Sequence, residues 1–452
     1  TIERFIHRTG FSYLGTPINN PQANEIGNNV GGVSGTGGNF SPLLIQPGCQ
    51  FLAPGSPYSN FMRYNESIVT NCQLTGWEVI TDGTSPLQNG RGYSINVPTA
   101  GTVIDATGAV NLGPVSYNGM SNTPANTTTQ KGLNMLSNPY PSPLNLDAFK
   151  TANPDVGGVA YVWNGGNMVS ILMNDGTPSY VALYQGFQVI WNGAVSGGVV
   201  NFANNMRWAW PTTLFYDEPN VDHKMDIVVT NAAGDKDQTL IYFAGGREDG
   251  WEMEHDGYKF NSASGIPTLY THIEGISDQI SVNALPLTTQ TRKIPMGLRP
   301  GSNGNFTFDF QSLSTLPANM KVFLEDTKTG TMQNMRTNAT YSFGMNETEN
   351  PDRFFIHLMI DGNTAGTENT PAKGNISMWA ADKTININFG HDIAGKVDVK
   401  IYDLAGKLID VVEYQNVQKG MKEILSNRVV KGIYLVNIVG KDVNVSKKVF
   451  ID

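Results

Sequence analysis

Short apolar stretches with a period of two residues recur along the chain and constrain its fold more than any other feature. In residues 375–452 the main stretches are Ile385–Phe389, Val397–Ile401, Leu408–Val412, Gly432–Val436 and Val449–Ile451. A period of two is typical of β-strands that bury one face. Helical periodicity with a charged outer face is nearly absent, so the sequence predicts an all-β fold of several β-sandwich domains.

The length of 452 residues is too great for one hydrophobic core, and about three domains are expected. We predict an irregular β-rich region over 1–212 and a β-sandwich over 213–360. Residues 361–374 are polar and have no apolar periodicity, so we predict that they form a linker. A C-terminal immunoglobulin-like domain follows over 375–452. Residues 1–360 are called the passenger region below.

Local patterns in the passenger region give more specific expectations. Phe306, Phe308 and Phe310 alternate strictly with polar residues and predict a strand. The segment Leu144–Phe149 follows a proline-rich turn and suggests one helical turn. The run Val181–Ile190 reads as one buried strand that is interrupted by a glycine.

The charge of the chain limits its partners. Residues 375–452 hold 11 Lys and Arg and 9 Asp and Glu, whereas the remaining 374 residues hold 19 and 30, so the net charges are +2 and −11. A basic surface with interleaved aromatic residues is missing, which argues against nucleic acid as a partner. No run reaches the 18 or so apolar residues that a membrane-spanning helix needs, so no transmembrane segment is expected.

The two cysteines, Cys49 and Cys72, lie in loop-rich sequence. If the protein is exported, one disulfide that closes this loop is the favoured interpretation. In the chain-entropy model such a loop contributes about 3–4 kcal/mol to the free energy of unfolding. The alternative is a pair of unlinked buried thiols.

An ordered set of motifs occupies the C-terminal domain. A tight turn, Tyr402-Asp403-Leu404-Ala405-Gly406-Lys407, links two apolar runs, and Gly432-Ile433-Tyr434-Leu435-Val436 precedes a lysine-containing last run. This pattern resembles the type A C-terminal sorting domain of the type IX secretion system of Bacteroidota. Matched to the family motif, the predicted sorting signal consists of Tyr402, Asp403, Gly406, Lys407, Gly432, Tyr434, Lys447 and Lys448.

The resemblance implies a route and a set of partners. The domain would fold in the periplasm and dock on the outer-membrane translocon and its accessory proteins. A sortase-like peptidase would then remove it, with 361–374 as the cleavage region, and could attach the passenger region to surface glycolipid. We therefore expect a protein that is secreted or held on the cell surface, in a bacterium that moves by gliding.

Three motifs of the passenger region resemble an uncharacterised region that recurs in large secreted proteins of Flavobacteria. They are Gly90–Tyr93, Asn138–Pro143 and Gln185–Val189. The resemblance implies no activity. The alternative for their aromatic and proline residues is packing in a core.

We find no pattern of residues that indicates catalysis, and we expect that the protein is not an enzyme and has no cofactor. The six histidines lack metal-ligand spacing, and no GxSxG or phosphate-binding loop is present. One acidic segment, 246–257, could supply calcium ligands or a glycosidase carboxylate pair, but a solvated loop is the favoured interpretation. Its acidic residues are Glu248, Asp249, Glu252, Glu254 and Asp256.

Taken together, these features predict an adhesin or structural surface protein that the type IX system exports. The alternative is the carbohydrate-binding part of an exported enzyme whose catalytic domain lies upstream. In that case exposed aromatic residues would stack on sugar rings of surface glycans. The candidates are Trp163, Trp191, Trp208 and Trp210.

Overall fold

A computed structural model of the chain confirms the all-β prediction. It describes residues 1–27, 61–68, 76–80, 83–97, 101–124, 131–175, 178–208, 221–287, 292–360, 376–381, 384–389, 392–403, 407–425, 430, 432–441 and 443–451. Cys49, Cys72, Gly406 and the predicted linker 361–374 lie outside these residues. The predicted boundary at 212 does so as well, and it stays a prediction.

Strands account for most of the regular structure in the described residues. The first group is β1 (Ile2–Ile6), β2 (Gly10–Leu14), β3 (Phe61–Tyr64), β4 (Trp77–Val79), β5 (Tyr93–Val97), β6 (Thr102–Ala106), β7 (Val115–Met120), β8 (Leu133–Ser137), β9 (Leu144–Asn145), β10 (Val156–Trp163), β11 (Met168–Leu172), β12 (Tyr180–Val181), β13 (Gly186–Trp191) and β14 (Gly198–Phe202). The second group is β15 (His223–Asn231), β16 (Lys236–Ala244), β17 (Gly257–Tyr258), β18 (Thr268–His272), β19 (Gln279–Pro286), β20 (Arg292–Arg299), β21 (Gly304–Gln311), β22 (Met320–Asp326), β23 (Thr331–Asn334), β24 (Thr340–Met345) and β25 (Phe354–Ile360). The C-terminal group is β26 (Ile376–Ala381), β27 (Thr384–Phe389), β28 (Ile393–Tyr402), β29 (Leu408–Val417), β30 (Gly420–Leu425), β31 (Gly432–Gly440) and β32 (Val443–Ile451).

Helices are short in the described part of the chain. They are α1 (Ala23–Gly27), α2 (Leu146–Ala152) and the 3-10 turns Asn204–Met206 and Leu313–Thr315. The predicted helical turn after the proline-rich segment is therefore confirmed as α2, whose first turn is capped by the Asn145 side chain. In the part of the chain that the structure describes, no helix is long and apolar enough to cross a membrane.

The chain divides into two compact units. Unit 1 consists of Thr1–Leu287, Pro295–Leu316 and Thr340–Asp352, and unit 2 consists of Thr288–Ile294, Pro317–Ala339 and Arg353–Asp452.

Unit 1 contains several sheets. One four-stranded sheet has the order β2-β5-β3-β4 and another has the order β11-β10-β13-β8. A larger sheet has the order β20-β18-β19-β16-β15-β21-β24. Strands β16 and β19 pair in parallel, and the other neighbouring strands of this order pair antiparallel. The predicted strand at Phe306–Phe310 is confirmed within it as β21, because the three phenylalanine rings are buried while the residues between them are half-exposed.

One predicted strand of unit 1 is wrong. The run Val181–Ile190 is not continuous, since β12 ends at Val181 and β13 begins at Gly186. Between them the backbone turns, with the N–H of Gln185 bonded to the carbonyl of Ala182, and Tyr184 has a positive φ of 59°. A residue in this left-handed region cannot continue a strand, and apolar content alone does not reveal it.

Unit 2 contains the C-terminal domain as a β-sandwich. One sheet has the order β26-β27-β30 and the other has the order β29-β28-β31-β32. Their inner faces share one apolar core, in which Ile385, Ile387 and Phe389 of β27 are fully buried beside Val399 and Ile438. The alternation seen in the sequence thus becomes the two inner faces of a sandwich. The neighbouring strands β23, β22 and β25 of unit 2 pair in that order.

Candidate functional site

The predicted sorting signal centres on the hairpin between β28 and β29. The side chain of Asp403 closes its turn, because Oδ1 accepts a hydrogen bond from the backbone N–H of Lys407 at 2.9 Å. The N–H of Asp403 also donates to the carbonyl of Lys407 at 3.0 Å. These two bonds give Asp403 a structural role at the tip of the hairpin.

The sheet register brings two distant members of the signal into one row. Tyr402 lies opposite Leu435, and Leu435 lies opposite Lys448. Residues opposite one another in a sheet point to the same face, so the half-buried Tyr402 and the exposed Lys448 share the outer face of the domain. Lys447, one residue earlier, lies opposite the buried Val436 and points to the other face.

Gly432 and Tyr434 begin the next strand, β31. The Tyr434 ring is buried in the domain core, and its hydroxyl bonds to the backbone of Val430. A methyl group added at Gly432 would meet its nearest neighbour, Cε2 of Tyr434, at 3.7 Å, which is ordinary van der Waals contact. The fold therefore does not require glycine at this position.

The outer face also carries an ion cluster that the sequence did not reveal. Asp398 of β28 lies opposite Glu413 of β29, and two carboxylates in such a pair repel each other. Lys396 bridges them, with Nζ 2.8 Å from Glu413 Oε1 and 3.1 Å from Asp398 Oδ1. Hydrogen bonds to Glu413 and Asp398 raise the pKa of Lys396. Lys396 is two residues from Asp398 but 17 residues from Glu413. Only the strand register therefore places all three side chains together.

The acidic segment 246–257 has a structural function in unit 1. Asp256 is 2% exposed, and its carboxylate accepts hydrogen bonds from the N–H groups of Glu252 at 2.6 Å and Ala284 at 2.7 Å. Burial raises the pKa of Asp256 to about 7, although the backbone hydrogen bonds act in the opposite direction. This carboxyl group therefore fixes the segment against β19.

The other carboxylates of this segment face different partners. Glu252 accepts from the N–H of Glu248 at 2.9 Å, and Glu254 pairs with Lys150 at 2.7 Å. Within the described residues, no group of three or more His, Cys, Asp or Glu side chains is arranged to hold a metal ion.

The three motifs of the passenger region come together around Ser137 and Asn138 of unit 1. The N–H of Asn138 donates to the carbonyl of Gln185 at 3.1 Å, and the N–H of Ser137 donates to the carbonyl of Gly90 at 2.9 Å. The Asn138 side chain also donates to the carbonyl of Ala182 at 3.1 Å. Asn138–Pro143 is therefore bonded directly to Gln185–Val189, and Gly90–Tyr93 is bonded to the preceding residue, Ser137. Together the three motifs hold this part of the fold in place.

The tryptophan candidates differ in exposure. Trp191 is 4% exposed and Trp163 is half-buried, with its Nε1 donating to the carbonyl of Phe11 at 3.0 Å. Trp208 is 47% exposed and lies against Tyr180, with ring centroids 5.6 Å apart. Trp210 lies outside the described residues. Among the three described, Trp208 is the one that offers its ring to solvent.

A cavity of about 270 Å³ lies in unit 1 beside β11 and β16. Its lining combines apolar side chains of β11 with hydrogen-bonding groups from Asp175, Asp226, Gln238 and Gln311. Such a combination of apolar and polar groups suits a small polar ligand.

Two buried ion pairs lie at separate places in the passenger region. In unit 2, Arg353 Nη2 lies 2.8 Å from Asp326 Oδ2, and their side chains are 4% and 0% exposed. In unit 1, Lys259 Nζ lies 2.6 Å from Asp237 Oδ2, and their side chains are 2% and 1% exposed. Charges buried this deeply need full hydrogen bonding, and sequence patterns gave no sign of either pair.

One histidine of unit 2 also bonds to a carboxylate. The Nε2 atom of His357 lies 2.7 Å from Glu325 Oε2, and Lys293 Nζ lies 3.0 Å from the same oxygen. Burial lowers the pKa of His357, against the raising effect of Glu325. These contacts hold His357 of β25 against Glu325 of β22.

Comparison with known proteins identifies two families. The family described as "Domain of unknown function (DUF8693)" matches residues 41–180 and 168–358, which together exceed half of the chain. The family described as "Secretion system C-terminal sorting domain" matches residues 381–452. No curated protein matches the chain.

One solved structure that matches is described as the crystal structure of a tetra-tandem repeat in the extending region of a large adhesion protein. The two sequences are 10% identical, and the match covers 66% of this chain and 92% of the other. Its TM-score of 0.13 does not indicate a shared fold.

Proposed function

Since the chain belongs to the family of domains of unknown function DUF8693 and ends in a type IX C-terminal sorting domain, we propose that its passenger region is an adhesive or structural part of the bacterial surface. The sorting domain sends the protein across the outer membrane, to the cell surface or the medium. The passenger region is therefore what meets the surroundings of the cell.

The architecture of the passenger region supports this proposal. Its sheets are fixed by buried polar contacts, among them the backbone bonds of Ser137 and Asn138 to the other two motifs and the contacts Lys259–Asp237 and Arg353–Asp326. Buried and fully bonded polar groups rigidify a fold. A rigid β-module suits a component that must keep its shape outside the cell. The net charge of −11 over residues 1–374 also favours solubility and disfavours anionic lipid surfaces.

For the route, the proposal includes docking of the outer face on the translocon and its accessory proteins. Tyr402 and Lys448, together with the Lys396–Asp398–Glu413 cluster, offer mixed aromatic and charged groups on that face. A sortase-like peptidase would then act within 361–374. Cleavage, attachment to surface lipid, a role in gliding and a disulfide between Cys49 and Cys72 all remain part of the proposal.

Adhesion can be tested in a type IX-competent bacterium that lacks the gene for this protein. Cells that regain the full chain should attach more strongly to abiotic and glycan-coated surfaces under flow than cells that display a matched amount of an unrelated protein with the same sorting domain. Equal attachment of both strains at equal surface amounts would contradict the adhesive role.

The second candidate is carbohydrate binding, as part of a larger exported enzyme. The cavity lined by Gln238 and Gln311 favours it, because its polar groups could bond to sugar hydroxyls beside an apolar wall. The full chain would be applied to a glycan array, with Gln311→Ala as the cavity variant and Trp208→Ala as the variant of the exposed ring. Binding that either variant weakens would favour this candidate over a purely structural role.

A further inference from the structure

We propose that Lys259 and Asn167 form an intramolecular amide cross-link, with Asp237 as the catalytic acid and base. All three residues belong to unit 1.

The geometry places a nucleophile and an electrophile on one carboxylate oxygen. Asp237 Oδ1 accepts hydrogen bonds from Lys259 Nζ at 2.7 Å and from Asn167 Nδ2 at 2.7 Å. Because both nitrogen atoms lie this close to the same oxygen, they cannot be farther apart than twice that distance. Oδ2 accepts from the N–H of Leu269 at 2.7 Å, which holds the carboxylate in place. Holding both groups beside one carboxylate removes much of the entropic cost of bringing them together.

The surroundings of the three groups are dry. The side chains of Lys259 and Asp237 are 2% and 1% exposed, and Asn167 is 6% exposed. Their chain neighbours Met168 and Phe260 belong to one apolar cluster. The 2.7 Å hydrogen bond from Lys259 Nζ to Asp237 Oδ1 is a direct path for a proton from the ammonium group to the carboxylate. The neutral amine that results is a nucleophile.

The remaining polar contacts stabilise developing charge or orient the reacting groups. Asn164 Nδ2 donates a hydrogen bond to Asn167 Oδ1 at 2.5 Å, at the oxygen where negative charge would develop during attack. A fixed donor at this position stabilises a tetrahedral intermediate. Lys259 Nζ also donates to the carbonyl of Gln238 at 2.9 Å, which orients the amine. Asn167 Nδ2 donates to the carbonyl of Lys236 at 3.2 Å.

The reaction balances without any other reagent. Asp237 takes a proton from the Lys259 ammonium group, and the Nζ electron pair forms a bond to Cγ of Asn167. Asp237 gives its proton to the amide nitrogen as the Cγ–Nδ2 bond breaks, and that electron pair leaves with ammonia. The carboxylate then takes the second Nζ proton and passes it to ammonia, which departs as ammonium. The products are an amide between the two side chains and an ionised Asp237.

The bond would join two sheets of unit 1. Asn167 lies in the turn between β10 and β11, and Lys259 directly follows β17, which pairs with β19. A covalent link at this position would close the chain between residues 167 and 259 into a loop. Pulling on the ends of the unit could then not extend that loop.

The mass of the purified, folded full chain tests the proposal. We expect a denatured intact mass that is one ammonia lighter than the sequence predicts. After digestion with trypsin, a linked peptide should contain Asn167 and Lys259, and cleavage after Lys259 should be missing. A folded chain with its full mass and normal cleavage after Lys259 would overturn the proposal. A chain one water lighter, with Lys259 linked to Asp237, would also overturn it, because Asn167 would then not be the acceptor.

Variants separate the roles of the three groups. Lys259→Arg keeps a positive charge beside Asp237 but cannot form the amide, so its full mass should be retained. Asp237→Asn should also keep the full mass, because the acid and base is gone. The matched control is Lys236→Arg at a neighbouring exposed lysine, which should lose ammonia as the parent chain does. Loss of ammonia in Lys259→Arg would contradict the assignment, and the parent chain decides the question if a variant fails to fold.

Discussion

The hydroxyl group of Tyr434 bonds to both backbone groups of Val430, accepting from the N–H at 3.0 Å and donating to the carbonyl at 2.9 Å. Val430 lies two residues before β31, so these bonds fix the chain where it enters the strand that carries Gly432 and Tyr434. One side chain of the predicted sorting signal, that of Tyr434, therefore fixes the backbone that leads into β31.

Replacing Tyr434 by phenylalanine tests this contact. We expect Tyr434→Phe to lower the free energy of unfolding of the C-terminal domain by about 1–2 kcal/mol, because two hydrogen bonds are lost while the ring stays in the core. The change is measured by urea denaturation of the full chain, with a spectroscopic probe placed in the C-terminal domain to monitor its unfolding. Tyr402→Phe is the control at the half-buried Tyr402 of the outer face. An equal loss in both variants would contradict the assigned role of the Tyr434 hydroxyl.

Gly432 offers a way to separate folding from recognition. A methyl group fits at this position, so Gly432→Ala should change the free energy of unfolding by less than about 1 kcal/mol. If the translocon recognises this residue, surface export should nevertheless fall several-fold.

Gly440 provides the matched control, because an added Cβ there would meet Val443 Cγ1 at 2.9 Å. Gly440→Ala should therefore destabilise the domain and reduce export through misfolding. Normal export of a stable Gly432→Ala chain would remove Gly432 from the sorting signal.

The Asp326–Arg353 pair predicts a large loss of stability. Arg353→Met should lower the free energy of unfolding by about 3–5 kcal/mol, because it leaves the Asp326 carboxylate buried without its charged partner. The exposed pair Arg63–Glu78, with side chains 46% and 28% exposed, supplies the control. Arg63→Met should cost less than about 1 kcal/mol. Similar losses in the two variants, measured by urea denaturation, would contradict the account.

Asp256 predicts a dependence of stability on pH. Burial raises its pKa in the folded protein to about 7, whereas a carboxyl group in an unfolded chain titrates near ~4. The favourable contribution of the protonated group is therefore complete below pH ~4 and is lost as the pH rises through about 7. Between these values the parent chain should lose a few kcal/mol relative to Asp256→Asn. Parallel stability curves for the two proteins would show that Asp256 does not titrate in this range.

The sequence predicts those parts of the fold that depend on local pattern. Ile385, Ile387 and Phe389 alternate with polar residues, and this is sufficient to predict β27 and its buried face. The break at Tyr184 could not be predicted, because its left-handed backbone is set by contacts with distant chain segments such as Gly15, whose N–H donates to the Tyr184 carbonyl.

Contacts between buried polar groups are even harder to predict from local sequence pattern. Asn167 and Asp237 are 70 residues apart, and Asp237 and Lys259 are 22 apart, so no short motif contains them. Tertiary packing of the β10–β11 turn and of the residue after β17 against β16 brings them together. The sorting motif was recognisable because its members are close in sequence within a family pattern, whereas their arrangement on the outer face needed the strand register.

Export of the full chain is the most direct test of the account. The chain and a version that ends at Ile360 would each be placed behind a periplasmic signal sequence, in a bacterium with a working type IX translocon and in a strain without it. We expect the full chain outside the cell only when the translocon works, and the shortened chain in the periplasm of both strains. Export of the shortened chain, or retention of the full chain in both strains, would contradict the assignment of residues 381–452 as the sorting domain.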